Sequence, residues 1–406
     1  MNALLVTTGS RGDVEPFVAL ARGLVDAGHC PTLAAPARFR ALAEGHGITY
    51  IALDDSLFEL QDALANAGTF AALTGAVRAK SALKLFLNDV ADLITVATDI
   101  VVYHPKTLAA PLVAEHRGVP SMAVQLIPLY QPTTAFPSPL LSVPVPRAMN
   151  RVSWRLSSAI EAPWRGMLRT LHRDRLGLST PVVGIADRVA ADGALNAWSP
   201  HLLPAPADWP ASAAPLGFWR LPASSESPTP KLVEFLNDGE PPVYVGFGSM
   251  VSKHPDAVGA AIRDALRRIG RRGVVVTGAG AVELEGDDSI LVLDHVSHDW
   301  LLPRTAVAVH HGGVGTVGAA LSAGVPQVIR PFLGDQQFWA KRVVEIGAGV
   351  RLRQLTAESL VEAIVAAESC APRARAHADS IRGNTDGVAQ AVGRIEQRLA
   401  EWKEQR

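Results

Sequence analysis

AVAVHHGGVGTVGAALSAGVPQVIRPFLGDQQF, residues 306–338, sets an apolar strand before a glycine loop and a helix of small residues after it. The loop runs His310, His311, Gly312, Gly313, Val314, Gly315, Thr316; the helix stops at Gly324. A second strand follows from Pro326 to Pro331, and Asp335 and Gln336 come directly after it. A helix that opens on glycines leaves its first N–H groups without intrahelical partners, and that end carries partial positive charge. Such a terminus suits a phosphate. A histidine beside it can donate to phosphate, and an adjacent acid and amide can satisfy several hydroxyls at once. Together these are the requirements of a nucleotide-sugar site.

Outward from that stretch, strand and helix alternate in both directions. Ala3 to Thr8, Thr32 to Ala35, Thr49 to Leu53, Asp99 to Tyr103 and Ser121 to Gln125 read as strands, with helices over Val14 to Ala27, Phe39 to His46 and Thr107 to Arg117. Val243 to Gly246, Gly273 to Thr277 and Ile290 to Leu293 repeat the pattern, with helices over Asp256 to Ile269 and Phe338 to Glu345. Alternation of this kind predicts parallel sheets covered on both faces. The expected architecture is α/β, with two Rossmann-like doubly wound domains facing across a cleft, where ligands bind outside the carboxyl ends of the strands. Proline-rich residues 119–146 exclude a regular helix and read as a binding loop. A second proline cluster at 204–230 reads as a domain break. The expected division is a first Rossmann-like domain over 1–215, a linker over 216–240, a second over 241–385 that carries the nucleotide-sugar stretch, and a helix over 386–406 packing back towards the first domain. In that helix Val388, Val392, Ile395, Leu399 and Trp402 form one apolar stripe.

The chain has 406 residues, 48% hydrophobic and 19% charged, which predicts two or three globular domains. Its formal net charge of -1 argues against a general nucleic-acid binder. Arginines cluster over 151–175 and 263–272 and read as solvated helix faces. Cys30 and Cys370 lack metal-ligand spacing, so a reducing cytoplasmic setting is expected. The N-terminus lacks the basic flank of a signal peptide, and no apolar run reaches the length of a membrane span. No stable membrane insertion is expected; peripheral contact, and monomer against homodimer, stay open.

Asp13 has two readings. Ser10 and Asp13 fit a capping box, but Pro16 would then fall beyond the first turn, so the helix is expected to begin near Asp13. Alternatively Asp13 faces a cleft as a base. Gly313 to Gly318 formally matches the dinucleotide pattern G-x-G-x-x-G, which keeps an NAD(P)-dependent oxidoreductase as a rival. His310 and His311 are strand neighbours that point to opposite faces and cannot readily share a metal.

Gly9-Ser10-Arg11-Gly12-Asp13-Val14-Glu15-Pro16, Tyr103-His104-Pro105-Lys106, Pro132-Thr133-Thr134 with Phe136-Pro137, Val245-Gly246-Phe247-Gly248-Ser249, His298-Asp299-Trp300-Leu301 and the block from His311 to Gln336 occur in an ordered series. By these segments the chain resembles the GT-B nucleotide-sugar glycosyltransferases, in their sterol-glucosyltransferase-like and antibiotic (natural-product) glycosyltransferase branch. The resemblance implies an inverting glycosyltransferase moving a hexose to a hydroxyl of an apolar acceptor such as a sterol, terpenoid or polyketide aglycone. UDP-glucose is the favoured donor, with a dTDP-sugar open. Asp13 is implied as the base, with His104 orienting it or sharing the proton. The donor would meet Ser10, Arg11, Gly12, Ser249, Val296, Trp300, His311, Gly313, Val314, Gly315, Thr316, Asp335 and Gln336. The acceptor would meet Gln125, Pro128, Thr133 and Phe136. With no Asp-x-Asp pair, no metal and no cofactor beyond the nucleotide sugar are expected. A nucleotide-sugar-binding protein without turnover is the remaining alternative.

Overall fold

The computed structural model describes residues 1–56, 71–141, 143–221, 228–248, 250–278, 280–332, 334–383 and 386–406. Two compact units emerge. One comprises Met1–Pro200, Pro204–Leu221 and Thr385–Arg406; the other comprises His201–Leu203 and Pro222–Asn384.

The first unit is built on β1 (Asn2–Val6), β2 (Cys30–Pro36), β3 (Thr49–Leu53), β4 (Ile100–Tyr103), β5 (Ser121–Gln125) and β6 (Ala194–Asn196). All its strand pairs are parallel, in the order β3-β2-β1-β4-β5-β6. β1 and β4 are runs of Leu, Ile and Val because helices cover both faces; Leu4, Leu5, Val101 and Val102 are wholly buried. Each such side chain stabilises the fold by roughly 1.5–3 kcal/mol. The helix Ala71–Asp92 presents Leu83, Phe86, Leu87 and Val90 to this core at steps of three and four. The C-terminal helix Gly387–Glu404 also belongs to this unit. It packs on the helix Arg11–Asp26 at Gly23, where any Cβ would lie 2.2 Å from Val388 Cγ1. Arg398 pairs with Asp192 at 2.6 Å and Glu396 with His29 at 2.8 Å.

The second unit repeats the plan with β7 (Val243–Gly246), β8 (Gly273–Val276), β9 (Ile290–Leu293), β10 (Val307–His310), β11 (Gln327–Ile329) and β12 (Gly349–Arg351). The order is β12-β11-β10-β7-β8-β9, again parallel throughout. Both sheets therefore have the 3-2-1-4-5-6 order of a doubly wound α/β fold. In each, the winding direction reverses between the first and fourth strands, β1 with β4 and β7 with β10, which opens a crevice there.

Three features differ from the sequence reading. The first helix begins at Arg11, capped by Ser10, and carries Pro16 inside it. The residue whose carbonyl meets the proline ring is Gly12, the residue type freest to tilt, and the Ser10–Asp13 cap holds the first turn in place. β6 and β12 have three residues each and too little periodicity to read as strands; β11 is as short but lies within the quoted stretch from Pro326 to Pro331. Of the stretch read as a linker, Leu216 and Trp219 are buried in the first unit, whereas Pro230–Asn237 is a helix whose Leu232 enters a core of the second.

Candidate functional site

At the first crevice, β1 ends at Val6 and the chain turns through Gly9, which has φ +133°. The turn needs glycine for space as well as conformation: a Cβ there would lie 2.1 Å from Asp13 Oδ2. The Asp13 carboxylate folds back over Gly9. Its Oδ2 accepts from the Ser10 backbone N–H at 2.8 Å and the Ser10 hydroxyl at 3.1 Å. The neighbouring strand β4 delivers His104 and Lys106 in a short turn. Lys106 Nζ donates to Asp13 Oδ1 at 2.7 Å, and His104 Nε2 lies 3.7 Å from the same oxygen. His104 Nδ1 accepts from the Lys106 backbone N–H at 3.1 Å, which leaves the ring proton on Nε2, facing Asp13.

Burial pushes the Asp13 carboxyl up, but the Lys106 charge and the hydrogen bonds from Lys106 and Ser10 outweigh it and hold the group below its ordinary value. His104 is pushed down to about 3 by burial and by Lys106 beside it, so it is neutral near pH 7. The cation that fixes Asp13 is therefore Lys106. Sequence reasoning quoted Lys106 without giving it a role; its place two residues past His104 in a turn after β4 was the available signal. Arg11 is exposed and pairs with Glu15 at 2.7 Å, Ser10 holds Asp13, and Gly12 is exposed in the first helical turn.

The proline-rich loop follows β5. Gln125 is buried; its Oε1 accepts from the Tyr130 N–H at 2.8 Å and its Nε2 donates to Asn196 Oδ1 at 3.2 Å. Thr133 is buried and donates to Asp208 at 2.6 Å, and Pro128 is buried too. Their hydrogen bonds are spent on Tyr130, Asn196 and Asp208, so Gln125 and Thr133 anchor the loop. Phe136 is partly buried between Trp154 (5.9 Å) and Trp209 (6.1 Å).

At the second crevice the two histidines divide. His310 is wholly buried: Nε2 meets Gln327 Oε1 at 3.0 Å and Nδ1 accepts from the Gly312 N–H at 3.1 Å. Burial pushes it down to about 3 and it stays neutral. His311 turns the other way. Its ring is wedged between two glycines, since a Cβ on Gly248 would lie 3.0 Å from it and one on Gly313 2.6 Å. Burial pushes it down to about 4. Among the described residues its Nδ1 is buried without a partner. Gly313 caps the helix Val314–Ala323, whose first bond runs from the Val317 N–H to the Gly313 carbonyl at 2.9 Å. The N–H groups of Val314, Gly315 and Thr316 thus precede the ladder. Gly315 is exposed with open space around it, Thr316 is half-buried, and Val314 packs inward. Ser249 lies outside the described residues.

Asp335 caps the helix Gln336–Glu345. Gln336 is buried beside Gly312: its backbone carbonyl would be 3.3 Å from a Cβ there. Its Oε1 accepts from the Phe332 N–H at 2.8 Å and its Nε2 reaches Met250 Sδ at 3.5 Å, so the amide ties three loops together. Trp300 packs on the core and carries the Arg304 guanidinium 4.4 Å from its ring centre; Val296 lies against the same core. The structure thus gathers His311, Gly313 to Thr316 and Gln336 at one strand end. The Tyr244–His298 hydrogen bond, 2.8 Å, was not anticipated; it fills the space that a side chain at Gly246 would need. Among the described residues, no group of three or more His, Cys, Asp or Glu side chains is arranged to hold a metal ion.

Residues 3–135 match the glycosyltransferase family 28 N-terminal domain, and residues 274–387 the erythromycin biosynthesis protein CIII-like C-terminal domain. The chain is 34% identical over 373 residues to sterol 3-beta-glucosyltransferase UGT80A2 of Arabidopsis thaliana, covering 86% of this chain and 57% of that protein. It is 30% identical over 422 residues to UGT80B1 of the same plant, covering 97% of this chain and 68% of that one. Of several fungal sterol 3-beta-glucosyltransferases it spans between 25% and 29%. Among solved structures, the glycosyltransferase of kitacinnamycin superposes with a TM-score of 0.72 at 19% identity, over 98% of this chain and 99% of that one.

Proposed function

We infer from one premise, that the chain belongs to the sterol and natural-product glycosyltransferases of GT-B fold, that it moves a hexose from a nucleotide sugar to a hydroxyl of an apolar acceptor. The second unit holds the donor. Its diphosphate sits on the N–H groups of Val314, Gly315 and Thr316 and accepts a hydrogen bond from His311 Nε2–H. Asp335 reads the sugar hydroxyls, the buried Gln336 amide holds the loops around it in place, and Val296 and Trp300 border the nucleoside. The observation that carries this reading is the His311 ring, held between Gly248 and Gly313 beside an open helix N-terminus.

The first unit supplies the base and the acceptor loop. The acceptor oxygen bonds to the anomeric carbon as the bond from that carbon to the diphosphate breaks, and Asp13 takes the hydroxyl proton. One displacement of this kind inverts the anomeric centre. The helix end and His311 offset the charge that develops on the leaving diphosphate, without calling on a metal. His104, neutral and with its proton towards Asp13, orients the carboxylate. UDP-glucose is the favoured donor, because relatives at 30% to 34% identity are sterol 3-beta-glucosyltransferases.

A thermal-shift panel of UDP-glucose, a dTDP-sugar and NADPH tests this reading. A ligand that binds only the folded form raises the melting point by mass action. UDP-glucose should stabilise the wild type and lose most of that effect in His311→Ala. Stabilisation by NADPH alone would refute donor binding and revive the oxidoreductase.

A further inference from the structure

The 147–159 helical stretch sits on the surface of the first unit and has two opposed faces. Inward, Asn150, Trp154 and Ser157 are buried and tied down. Asn150 Nδ2 donates to the Thr134 carbonyl at 2.9 Å, Trp154 Nε1 donates to the Phe136 carbonyl at 3.2 Å, and Ser157 Oγ meets Ser138 Oγ at 2.9 Å. Outward, Met149, Val152 and Leu156 are 52%, 51% and 47% exposed, at helical steps of three and four. With Leu140 and Val143 they make five of the ten exposed large hydrophobics among the described residues. That concentration within seventeen residues marks a patch rather than scatter.

The charge around the patch has one sign. Arg147, Arg151 and Arg155 are exposed beside the apolar stripe, and residues 116–160 contain no Asp or Glu. The acid facing them is Asp208, 3.7 Å from Arg151, and it is already engaged by Thr133 and Thr134. A solvated helix face accounts for the arginines and leaves the apolar row unexplained. An amphipathic helix with basic and apolar outward groups fits a bilayer surface, where the side chains enter the headgroup layer and the arginines meet anionic phosphates. Among the described residues no helix is long and apolar enough to cross a membrane.

We propose that this stretch docks the protein on a bilayer surface bearing anionic lipid headgroups. Trp154, Asn150 and Ser157 hold the helix rigid beneath, so docking requires no refolding. The proposal does not depend on the transfer reading: vesicle binding and nucleotide-sugar binding are separate measurements on the same protein.

The test is flotation of the full chain with phosphatidylcholine vesicles and with vesicles of phosphatidylcholine and phosphatidylglycerol, at low and high salt. Binding should require phosphatidylglycerol and weaken with salt. The combined R147Q, R151Q and R155Q variant should bind on the order of 100-fold more weakly. V152S with L156S should bind roughly 10-fold more weakly. An unchanged melting temperature in both variants, without ligand, establishes that they are folded. Equal binding to both vesicle types, or wild-type affinity in both variants, would overturn the proposal. So would a wild-type dimer that the apolar variant dissolves while vesicles go unbound, which would make a second copy the occupant.

Discussion

Gly9→Ala is the substitution that most directly probes the proposed base. The new methyl would lie 2.1 Å from Asp13 Oδ2, about an ångström inside the closest approach a Cβ tolerates. Either the turn or the carboxylate must move. The backbone sits at φ +133°, so alanine also brings conformational strain of about 1–3 kcal/mol. If the carboxylate swings away, it loses Lys106 Nζ at 2.7 Å and the Ser10 N–H at 2.8 Å. Hydrogen bonds to a charged group contribute about 1.5–3 kcal/mol each, and with 16% of the Asp13 side chain exposed water recovers part of that. The sum is a loss of roughly 2–4 kcal/mol, or about 5–15 °C in melting temperature. Gly28→Ala is the matched control: φ is +80° and nothing lies within 4 Å, so only strain of about 1–2 kcal/mol applies. Turnover, followed as UDP release in the presence of an apolar alcohol, should fall by about 10²–10⁴-fold in Gly9→Ala and stay near wild type in Gly28→Ala. Gly9→Ala turning over at the wild-type rate would mean that the carboxylate's seat above Gly9 has no part in catalysis.

Asp13→Asn should abolish transfer yet leave the UDP-glucose thermal shift intact; normal turnover refutes the base assignment. Lys106→Met removes the cation that holds Asp13 down and leaves burial to raise it, so the acid limb of the kcat/KM profile should move to higher pH; an unmoved limb refutes control by Lys106. His311→Ala removes one donor to the diphosphate, about 1.5–3 kcal/mol, and should weaken UDP-glucose binding by about 10–100-fold in calorimetry. His310 is pushed down to about 3 in the folded chain, so between about pH 6.5 and that value the unfolded chain binds the extra proton and stability falls with falling pH. At about pH 5.5 His310 alone costs on the order of 1 kcal/mol, with His104 and His311 acting in the same direction. A denaturation midpoint unchanged between neutrality and that pH contradicts it.

Central strands were legible because a parallel strand buried on both faces is an apolar run, as at Val243–Gly246; the part-exposed edge strand Thr49–Leu53 and the strand Ser121–Gln125 also match their sequence reading residue for residue. The opening of the first helix was not legible. Pro16 argued for a late start, and only the fold of the Asp13 carboxylate over Gly9 reveals an early one. The two faces of His310 and His311 could be told apart from strand alternation, but which one is buried depends on Gln327, seventeen residues later, and that contact has no local signal. Gln336 was read as a polar reader of hydroxyls. It is buried against Gly312, with its amide held by the Phe332 N–H and Met250 Sδ, and contacts between loops of that kind have no local signal.

The two sheets use one device for opposite electrostatic ends. In each, the turn after the first strand carries a glycine at positive φ, Gly9 at +133° and Gly248 at +61°. In each, the space a Cβ would occupy is taken by a functional side chain, Asp13 in one and His311 in the other. In the first unit the fourth strand supplies the neighbour that sets the charge; in the second it supplies the side chain itself, and burial sets the charge. Lys106 after β4 keeps a carboxylate ionised; β10 delivers an imidazole that burial keeps neutral, beside a helix end that is itself positive. A negative oxygen at the first crevice can accept a proton from an alcohol but would repel a diphosphate. Main-chain N–H groups at the second can bind a diphosphate but cannot accept a proton. Exchanging the signs, with Asp13→Asn in one unit or His311→Asp in the other, should therefore abolish different steps: the first variant should still bind UDP-glucose, and the second should fail to bind it at all.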